Sequence, residues 1–479
     1  MSSVHLLVLI HGMWGHPRHL AELYRIISEK YLEGLDGIEL EVLLAETNRE
    51  DSTYDGIDWG GERVAQEVLN RVDALEKDGK TVSRFSITGY SLGGLISRYV
   101  IGILHQKGFF DRVTPVNFNT LATPHIGLPR YPSLMSTLTS SLGPKLLSRT
   151  GEQFYLADKW SARGRPLIEV MADPDRIFHQ ALRRFEHIRI YANAVRDLTV
   201  PYVTSAIETE DPFALYETNG IEIELDEEYS PLIKSFEVPA IPPAPIPKPT
   251  MLSPQWFRSR KPARPFLPPA LQMRFPLNIV LYSLLPLLVP VAISLVVVRF
   301  TLASRSSRAR IRLMEEDDSK GQKLINILAE LEDEVEHAVV DFVIDNPADS
   351  QLSSSSTCRF TGHRSSSPKP VPNTPALATK IDMVENGSTL PESTASASSS
   401  SCSLTHKKKE TRRPPEPILT PVQLKVAGWL KQLPIKKELA YFPEVVNSHA
   451  MIVCRDVKRF EAHRRGEGIL RHWADSFIL

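Results

Sequence analysis

The strand-to-helix turn around Ser91 constrains the fold of this chain more than any other feature of its sequence. The segment SITGYSLGGLISRYVIGIL places Ser91 between Gly89 and Gly93 in a G-x-S-x-G pattern. Before the serine, RFSIT is typical of a strand, and after it apolar residues recur at helical spacing. A serine in such a turn is exposed and aimed, and its flanking glycines let the strand and the helix approach closely. The pattern predicts a nucleophilic serine, and the alternative is a glycine-rich turn with a buried serine.

A glycine loop near the amino terminus supplies the second half of such a site. HLLVLIHGMWG is an apolar run that ends in His-Gly-x-x-Gly. The oxyanion that forms when a serine attacks an ester needs backbone donors, and one of them normally comes from the loop after an early strand. We predict the N–H groups of Met13 and Leu92 as these donors, with Gly12 and Gly15 giving the loop its freedom. His11 is expected to hold the loop in place rather than to act as a base.

Strand-like and helix-like patterns alternate from residue 1 to about residue 225. The strand-like segments include IELEVLLAE, PVNFNTLATPH and HIRIYANAV, and apolar stripes at helical spacing separate the earlier ones. This order predicts an α/β fold in which helices cover both faces of a mostly parallel sheet. Between two of the strands, residues 130–185 fit either a small lid over the site or ordinary packed helices.

Charge and cysteine content exclude several classes of protein. The chain carries 56 basic and 57 acidic residues, a net charge of -1, so no overall field favours nucleic acid as a partner. Its three cysteines do not suggest a disulfide framework, and the absence of clustered His and Cys at ligand spacing predicts neither a metal nor a cofactor. The first strand begins almost at the initiator without a basic stretch before it, which predicts a cytosolic start without a signal peptide.

The composition changes abruptly near Glu237, and periodic sequence resumes at Leu419. The chain is therefore expected to have six segments. These are a first α/β part (1–236), a proline-rich basic linker (237–274), an apolar membrane segment (275–298), a basic and then acidic amphipathic helical segment (299–350), a disordered Ser/Thr/Pro-rich tract (351–417) and a second α/β part (418–479).

A serine nucleophile needs a histidine base and an orienting acid, and in this fold class the acid precedes the histidine in the chain. Asp197 follows the strand-like HIRIYANAV, at the strand end where such an acid lies, and the alternative is an ordinary surface aspartate. Among the later histidines, His449 lies in a polar turn before an apolar run, NSHAMIVCRD. His463 and His472 lie in a basic helical tail and are the alternatives. We predict Asp197 and His449 as the acid and the base.

The apolar segment from Phe275 to Val298 has 24 residues without a charge, which is long enough to cross a membrane. A single crossing would put the predicted acid and base on opposite sides. Pro286 and Pro290 near its middle instead predict a hairpin of two half-helices, each too short to span. Arginines both precede and follow the segment, so the preference for positive charge on the cytosolic side acts at both ends.

Several motifs together resemble one known family. These are GYSLGG, HGMWG, NTLATPHIG, SRTGEQFYLAD, NAVRDLTVPYVTSAI and the late His449. In this combination the chain resembles the serine esterases known as domain of unknown function 676, lipase-like α/β-hydrolases whose fungal members include lipid-droplet phospholipases. The likeness covers roughly residues 3–225 and 419–479, whereas the long insertion between acid and base departs from a compact hydrolase.

The resemblance implies an α/β-hydrolase fold, built from residues 1–236 and 418–479, that cleaves acyl esters of glycerolipids. Carried over to the matching positions, Ser91 is the nucleophile, Asp197 the acid and His449 the base. The expected substrate is a glycerophospholipid or an acylglycerol, met at the surface of a membrane or a lipid droplet. The expected location is a lipid droplet or the endoplasmic reticulum membrane, with the catalytic domain facing the cytosol. Two other classes stay open: a carboxylesterase or thioesterase acting on small acyl compounds, and an inactive scaffold on a lipid surface.

Overall fold

The computed structural model describes residues 2–240, 243, 277–316 and 416–479. The predicted linker, the acidic part of the helical segment and the Ser/Thr/Pro-rich tract lie outside these residues, apart from a few of their outermost positions. The structure therefore addresses the two α/β parts of the chain and the apolar segment between them.

A six-stranded sheet lies at the centre of the fold, and every pair of neighbouring strands in it is parallel. The strands of the described residues are β1 (Ser2–Ile10), β2 (Ile38–Leu44), β3 (Lys80–Tyr90), β4 (Thr114–Leu121), β5 (His187–Asn193), β6 (Glu222–Leu225), β7 (Ile233–Glu237) and β8 (Ile435–Ala440). The central sheet has the order β2-β1-β3-β4-β5-β8, and β6 and β7 form a separate antiparallel pair. This sheet is α/β-hydrolase-like, which confirms the predicted fold class.

Helices cover both faces of the sheet. The α-helices of the described residues are α1 (Ala21–Lys30), α2 (Ile57–Lys77), α3 (Leu92–Gln106), α4 (Leu134–Leu146), α5 (Ser148–Phe154), α6 (Leu167–Ala172), α7 (Ile177–Arg183), α8 (Tyr202–Ser205), α9 (Leu277–Glu316), α10 (Pro421–Leu430) and α11 (Glu467–Asp475). Alternate side chains of β1 enter two different cores, because successive residues of a strand point to opposite faces. Leu6 and Val8 pack with α2 and α3, whereas Leu7 and Leu9 pack with α1 and α11.

The sixth strand of the sheet comes from the chain beyond the insertion. β8 pairs in parallel with β5, with Ile188 opposite Ile435. A capping box fixes the start of α10, the helix that leads into β8: the Thr420 hydroxyl oxygen accepts from the Gln423 N–H, and the Gln423 side chain accepts from the Thr420 N–H. Residues from before and after the insertion thus share one sheet.

The helix α9 differs from the expected hairpin, because it runs without a break through Pro286 and Pro290. Each proline removes one main-chain hydrogen bond, but residues four apart lie on nearly the same side of a helix, so the other sides keep their bonds. From Val280 to Val298 the helix is largely apolar on all sides and mostly exposed. Within the described ranges, α9 is the one helix long and apolar enough to cross a membrane, judged by length and composition alone.

The other half of α9, residues 300–316, packs on the α/β domain, and we call it the docked half. Ala303, Ser304, Ser307 and Ile311 are buried there along one face of the helix. The Ser304 hydroxyl donates to the Lys145 carbonyl in the last turn of α4, at 3.1 Å. The same helix therefore has an exposed apolar half and a half that is attached to the domain by specific contacts.

Candidate active site

Ser91 occupies the predicted sharp turn between β3 and α3. Its backbone has a positive φ of 56° with ψ at -123°, a conformation that residues with a side chain rarely adopt. The flanking glycines are needed because a Cβ on Gly89 would lie 2.4 Å from the Gly93 oxygen, and one on Gly93 would lie 2.2 Å from the Ile10 oxygen. The Ser91 N–H donates to the Leu121 carbonyl at 2.9 Å, which ties the turn to β4. Strain of this kind persists where the surrounding structure enforces it, and it is common at active sites.

Three residues predicted from the sequence meet at this turn. The Ser91 Oγ lies 3.0 Å from His449 Nε2, and His449 Nδ1 lies 2.9 Å from Asp197 Oδ2. Because an ionised carboxylate only accepts, we assign the proton to Nδ1, which leaves Nε2 to accept from the serine hydroxyl. All three side chains are buried; Ser91 is therefore less exposed than the motif predicted, although its hydroxyl still reaches His449. The arrangement can remove the serine proton and hold the resulting imidazolium beside a carboxylate.

Asp197 is fixed by bonds to both of its carboxylate oxygens. It lies in the loop after β5, where Oδ1 accepts from the N–H groups of Thr199 at 2.9 Å and Val200 at 2.8 Å. Oδ2, the oxygen that faces His449, also accepts from the Asn193 side-chain amide at 2.8 Å. The acid thus has a single orientation, set by its own loop and by the end of β5. Asn193 was not predicted; its signal is a polar amide at the end of a buried strand.

The loop of His449 is held by the neighbours of the other two residues. The Tyr90 hydroxyl donates to the His449 carbonyl at 3.0 Å, and the Tyr90 ring lies 5.1 Å from the imidazole. Burial raises the pKa of Tyr90, so this phenol stays a neutral donor. The Ser448 hydroxyl donates to the Val195 carbonyl at 3.0 Å, which ties the loop to the end of β5. Tyr90 was not predicted either, although its position directly before the nucleophile was a usable signal.

The predicted oxyanion loop packs directly against the nucleophile. A Cβ on Gly12 would lie 2.7 Å from the Ser91 Cβ, so only glycine fits there. His11 is buried, its Nδ1–H donates to the Gly12 carbonyl at 3.0 Å, and burial lowers the pKa of its imidazole. This bond lies within the loop, and a structural role for His11 stays a prediction. Met13 follows Gly12 in this loop, and Leu92 begins α3, where the first N–H groups have no partner within the helix.

The amino-terminal part of the chain, which contains this loop and this turn, matches a known family. Residues 1–208 fit the family described as "Putative serine esterase (DUF676)". These residues belong to that serine esterase family. The matched part of the chain includes Ser91, Asp197 and the predicted oxyanion loop, and it ends before His449.

Two relatives of this chain in yeasts are named as putative lipases. The chain is 32% identical over 225 residues to "Putative lipase C4A8.10" of Schizosaccharomyces pombe, which covers 46% of this chain and 28% of that protein. It is 28% identical over 207 residues to "Putative lipase ROG1" of Saccharomyces cerevisiae, covering 42% and 28%. The chain thus spans less than a third of the length of these two relatives. Among solved structures, phospholipase PlaB from Legionella pneumophila is 18% identical and covers 31% of this chain and 29% of that one, with a TM-score of 0.21.

The SRTGEQFYLAD motif begins with α5, which packs against the start of α2. Arg149 pairs through two nitrogens with the buried Asp58, at 2.9 and 2.5 Å. The Gln153 amide donates to the same carboxylate at 3.0 Å, while its oxygen accepts from the Ile57 N–H at 2.6 Å. Of the two interpretations of residues 130–185, packed helix therefore applies to α5. The helix before it, α4, is different because its leucines are exposed.

A cavity of about 480 Å³ opens beside Asp197 of the candidate site. Its lining includes residues 193–199, the start of α4, and the rings of Tyr131 and Phe213. Asp211 also lines the cavity, and burial raises the pKa of that carboxyl to about 6. Besides Asp197 and Asp211, the lining includes Arg196 together with apolar and aromatic side chains.

Two of the other late histidines have hydrogen-bond partners away from Ser91 and Asp197. His463 Nδ1 accepts from the Asp456 N–H at 3.1 Å, and His472 Nδ1 lies 3.0 Å from the Tyr191 hydroxyl. In the portion of the chain that the structure describes, no group of three or more His, Cys, Asp or Glu residues is arranged to hold a metal ion.

Proposed function

We propose that this protein is a serine hydrolase that cleaves the acyl ester bonds of glycerolipids at a lipid surface. The observation that carries the proposal is the hydrogen-bonded series from Ser91 through His449 to Asp197 at a strained strand-to-helix turn. The family of residues 1–208 supports esterase chemistry, and the lipase names of the yeast relatives support a lipid substrate.

The proposed reaction transfers the acyl group in two steps. The Ser91 oxygen attacks the ester carbonyl carbon while His449 Nε2 takes the serine proton, and the resulting oxyanion accepts from the N–H groups of Met13 and Leu92. The tetrahedral intermediate then breaks its bond to the alcohol oxygen, which receives the proton from His449 as it leaves. Water attacks the acyl-serine in the same manner, and the fatty acid is released. Asp197 keeps the imidazole in the tautomer and orientation that both steps require.

The substrate class is tested with purified full-length protein and a mixed glycerophospholipid extract that also contains acylglycerols. We expect fatty acids to be released in the presence of the wild-type protein and not above background with the Ser91→Ala variant. Identification of the remaining lysolipid or partial glyceride reports the head group and the acyl position. Efficient cleavage of short water-soluble esters together with no release from the extract would favour a small-molecule esterase.

The pairing of β5, before α9, with β8, after it, in one sheet supports the proposal that both flanks of α9 lie on one side of any membrane that it enters. A single crossing would separate these strands. Within the described residues no other helix is long and apolar enough to cross, and the sequence contains no second charge-free run of comparable length. We therefore propose that the apolar half of α9 lies in one leaflet, in the monolayer of a lipid droplet or the cytosolic leaflet of the endoplasmic reticulum.

This location is tested with protease added to the cytosolic side of isolated organelles. Tags at the amino terminus and near Ser400 are both expected to be cleaved, because both flanks share one side. A tag protected at one position alone would contradict the proposed location.

The exposed face of α4 supports contact with lipid at a second place. Leu134, Leu138 and Leu142 recur every fourth residue and are 93%, 52% and 39% exposed. Side chains four residues apart share one face of a helix, so these leucines form an apolar stripe. The bond between Lys145 and Ser304 links α4 to α9. The helix that carries the stripe is thus bonded to the helix proposed to enter lipid, and other residues of α4 (Met135, Ser136 and Thr139) line the cavity beside the acid.

Replacing the three leucines of α4 by serine is expected to weaken binding to phospholipid vesicles by about tenfold or more. Full burial of a leucine side chain is worth about 1.5–3 kcal/mol, and three partly inserted residues contribute a fraction of that each. Flotation with vesicles measures the effect, and kcat on a short soluble ester is expected to stay unchanged. The matched control replaces Leu32 and Leu35, which are exposed after α1, and it should leave flotation unaltered. Equal flotation of both variants would show that α4 does not contact lipid.

A further inference from the structure

The docked half of α9 contacts the same short segment that holds the oxyanion loop. This segment, residues 50–56, lies between β2 and α2 and begins with the 3-10 turn Glu50–Tyr54. We call it the support segment. It is hydrogen-bonded to Trp14, the residue after Met13, and its Asp55 is hydrogen-bonded to side chains of α9. It therefore connects the helix with the apolar half to the loop that carries the proposed oxyanion donor.

Trp14 needs support from outside its own loop because its backbone is strained. Its φ is 54°, in the left-handed region that bulky residues rarely adopt. Its main-chain N–H donates to Thr53 Oγ1 at 3.2 Å, and its indole N–H donates to the Tyr54 hydroxyl at 2.8 Å. The face of the indole stacks on Phe300 of α9, with ring centroids 5.6 Å apart and planes inclined by 7°. Trp14 is thus held by the support segment and by α9 together.

Asp55 attaches α9 to the support segment through a buried carboxylate. Its side chain is 1% exposed and accepts from the Ser307 hydroxyl at 2.7 Å, from Arg310 at 2.8 Å and from Arg63 of α2 at 3.0 Å. A buried carboxylate is costly to leave without partners, and release of α9 would leave Asp55 with Arg63 alone. Two directional bonds from one turn of α9 also fix its position along and around its axis. This attachment sets the position of the Phe300 ring against Trp14.

We propose that Phe300 is a positioning residue for the oxyanion loop. The proposal rests on the proposed function, because Met13 serves as an oxyanion donor only if Ser91 attacks an ester. Phe300 covers one face of Trp14, and Trp14 fixes the peptide next to Met13. A donor has to lie within about 2.7–3.1 Å of the oxyanion, so a small displacement of the loop slows acyl transfer and changes ground-state binding little. α9 therefore contributes to catalysis as well as to attachment.

The test compares Phe300→Ala with Leu313→Ala in the full chain. Both are assayed on p-nitrophenyl butyrate in detergent solution, so that binding to lipid does not enter the measurement. Leu313 is the control because it lies on the docked half but is 67% exposed. We expect Phe300→Ala to lower kcat about tenfold with KM within about twofold, since complete loss of an oxyanion donor costs about 10²–10³. Leu313→Ala should keep the wild-type values, and Phe300→Trp should recover most of kcat by restoring a stacked ring.

A second measurement separates the position of the loop from a general loss of structure. A boronic acid forms a tetrahedral adduct with the serine that resembles the transition state, so its inhibition constant should rise in Phe300→Ala by about the factor by which kcat falls. A folded Phe300→Ala enzyme with wild-type kcat and wild-type affinity for the boronic acid would overturn the proposal. Where Phe300→Ala does not fold, Phe300→Leu is measured in the same way, because it keeps apolar area and removes the ring.

The outcome also distinguishes this proposal from the proposed function. A wild-type protein that cleaves no ester would overturn the proposed function, and this proposal with it. An active wild type whose Phe300→Ala variant behaves identically would overturn this proposal alone.

Discussion

Ser91→Ala is expected to abolish hydrolysis of every ester that the wild-type protein cleaves. The change removes the atom that forms the acyl bond, and the residues of such a triad act as a unit worth on the order of a million-fold in kcat. The hydroxyl bonds to His449 and lies in a turn that the neighbouring glycines shape, so its loss removes little packing. Steady-state kinetics give the loss of activity, and a thermal melt followed by circular dichroism is expected to match that of the wild type.

The matched control for the nucleophile is Ser97→Ala, in α3, the helix that follows Ser91. The Ser97 hydroxyl donates to the Gly93 carbonyl within α3 at 2.8 Å and makes no bond to the triad. Loss of this hydroxyl should leave kcat close to that of the wild type. If Ser91→Ala lowers kcat only a few-fold, the nucleophile is another residue.

Asp197→Asn is expected to lower kcat by at least about a hundredfold, and by up to about 10⁴. In the wild type, Oδ1 accepts from two backbone N–H groups, so the oxygen of an asparagine will occupy that place. Its NH₂ group then faces His449 Nδ1, where Oδ2 was, and donates to it. This bond selects the tautomer with the proton on Nε2, which can no longer accept from Ser91. The variant should therefore bind substrate with a similar KM and transfer the acyl group slowly.

The control for the acid is Asp226→Asn, in a turn of the same kind. Asp226 Oδ1 accepts from the N–H groups two and three residues further on, as Asp197 Oδ1 does, but it lies after β6 and makes no bond to the site. Its replacement tests the effect of an amide in such a turn without touching the triad. If Asp197→Asn and Asp226→Asn have equal kinetic constants, another residue is the acid of the triad.

The turn around Ser91 could be predicted because its causes are local. The glycines, the strand and the amphipathic helix all lie within a few residues of the serine. Gly89 and Gly93 lie so close to neighbouring main chain that a side chain would not fit, as the motif predicts. Asp197 was predictable from its place at a strand end. His449 required a choice among late histidines, and what brings it to Ser91 is the pairing of β8 with β5, which no short pattern specifies.

The docking of α9 could not be predicted because its causes are distant. The stretch EDSTYDGIDWG contains several acidic residues, and nothing local distinguishes Asp55 as the one that a serine and an arginine of α9 will cover. The expected break at Pro286 and Pro290 failed for a related reason. Each proline was expected to break the helix locally. The main-chain hydrogen bonds on the other sides of this long helix instead keep it continuous through both prolines.

The pairing of β5 with β8 also sets the order in which the site is completed during synthesis. Ser91 and Asp197 leave the ribosome first, and 252 positions separate Asp197 from His449. At about 5–20 residues per second this delay is roughly ten to fifty seconds, during which α9 has already emerged. A nascent chain, and any chain that stops within the insertion, lacks both the sixth strand and the base. Under the proposed function, the site is still incomplete when the apolar helix emerges, and it is completed only when the last strand of the sheet has been added.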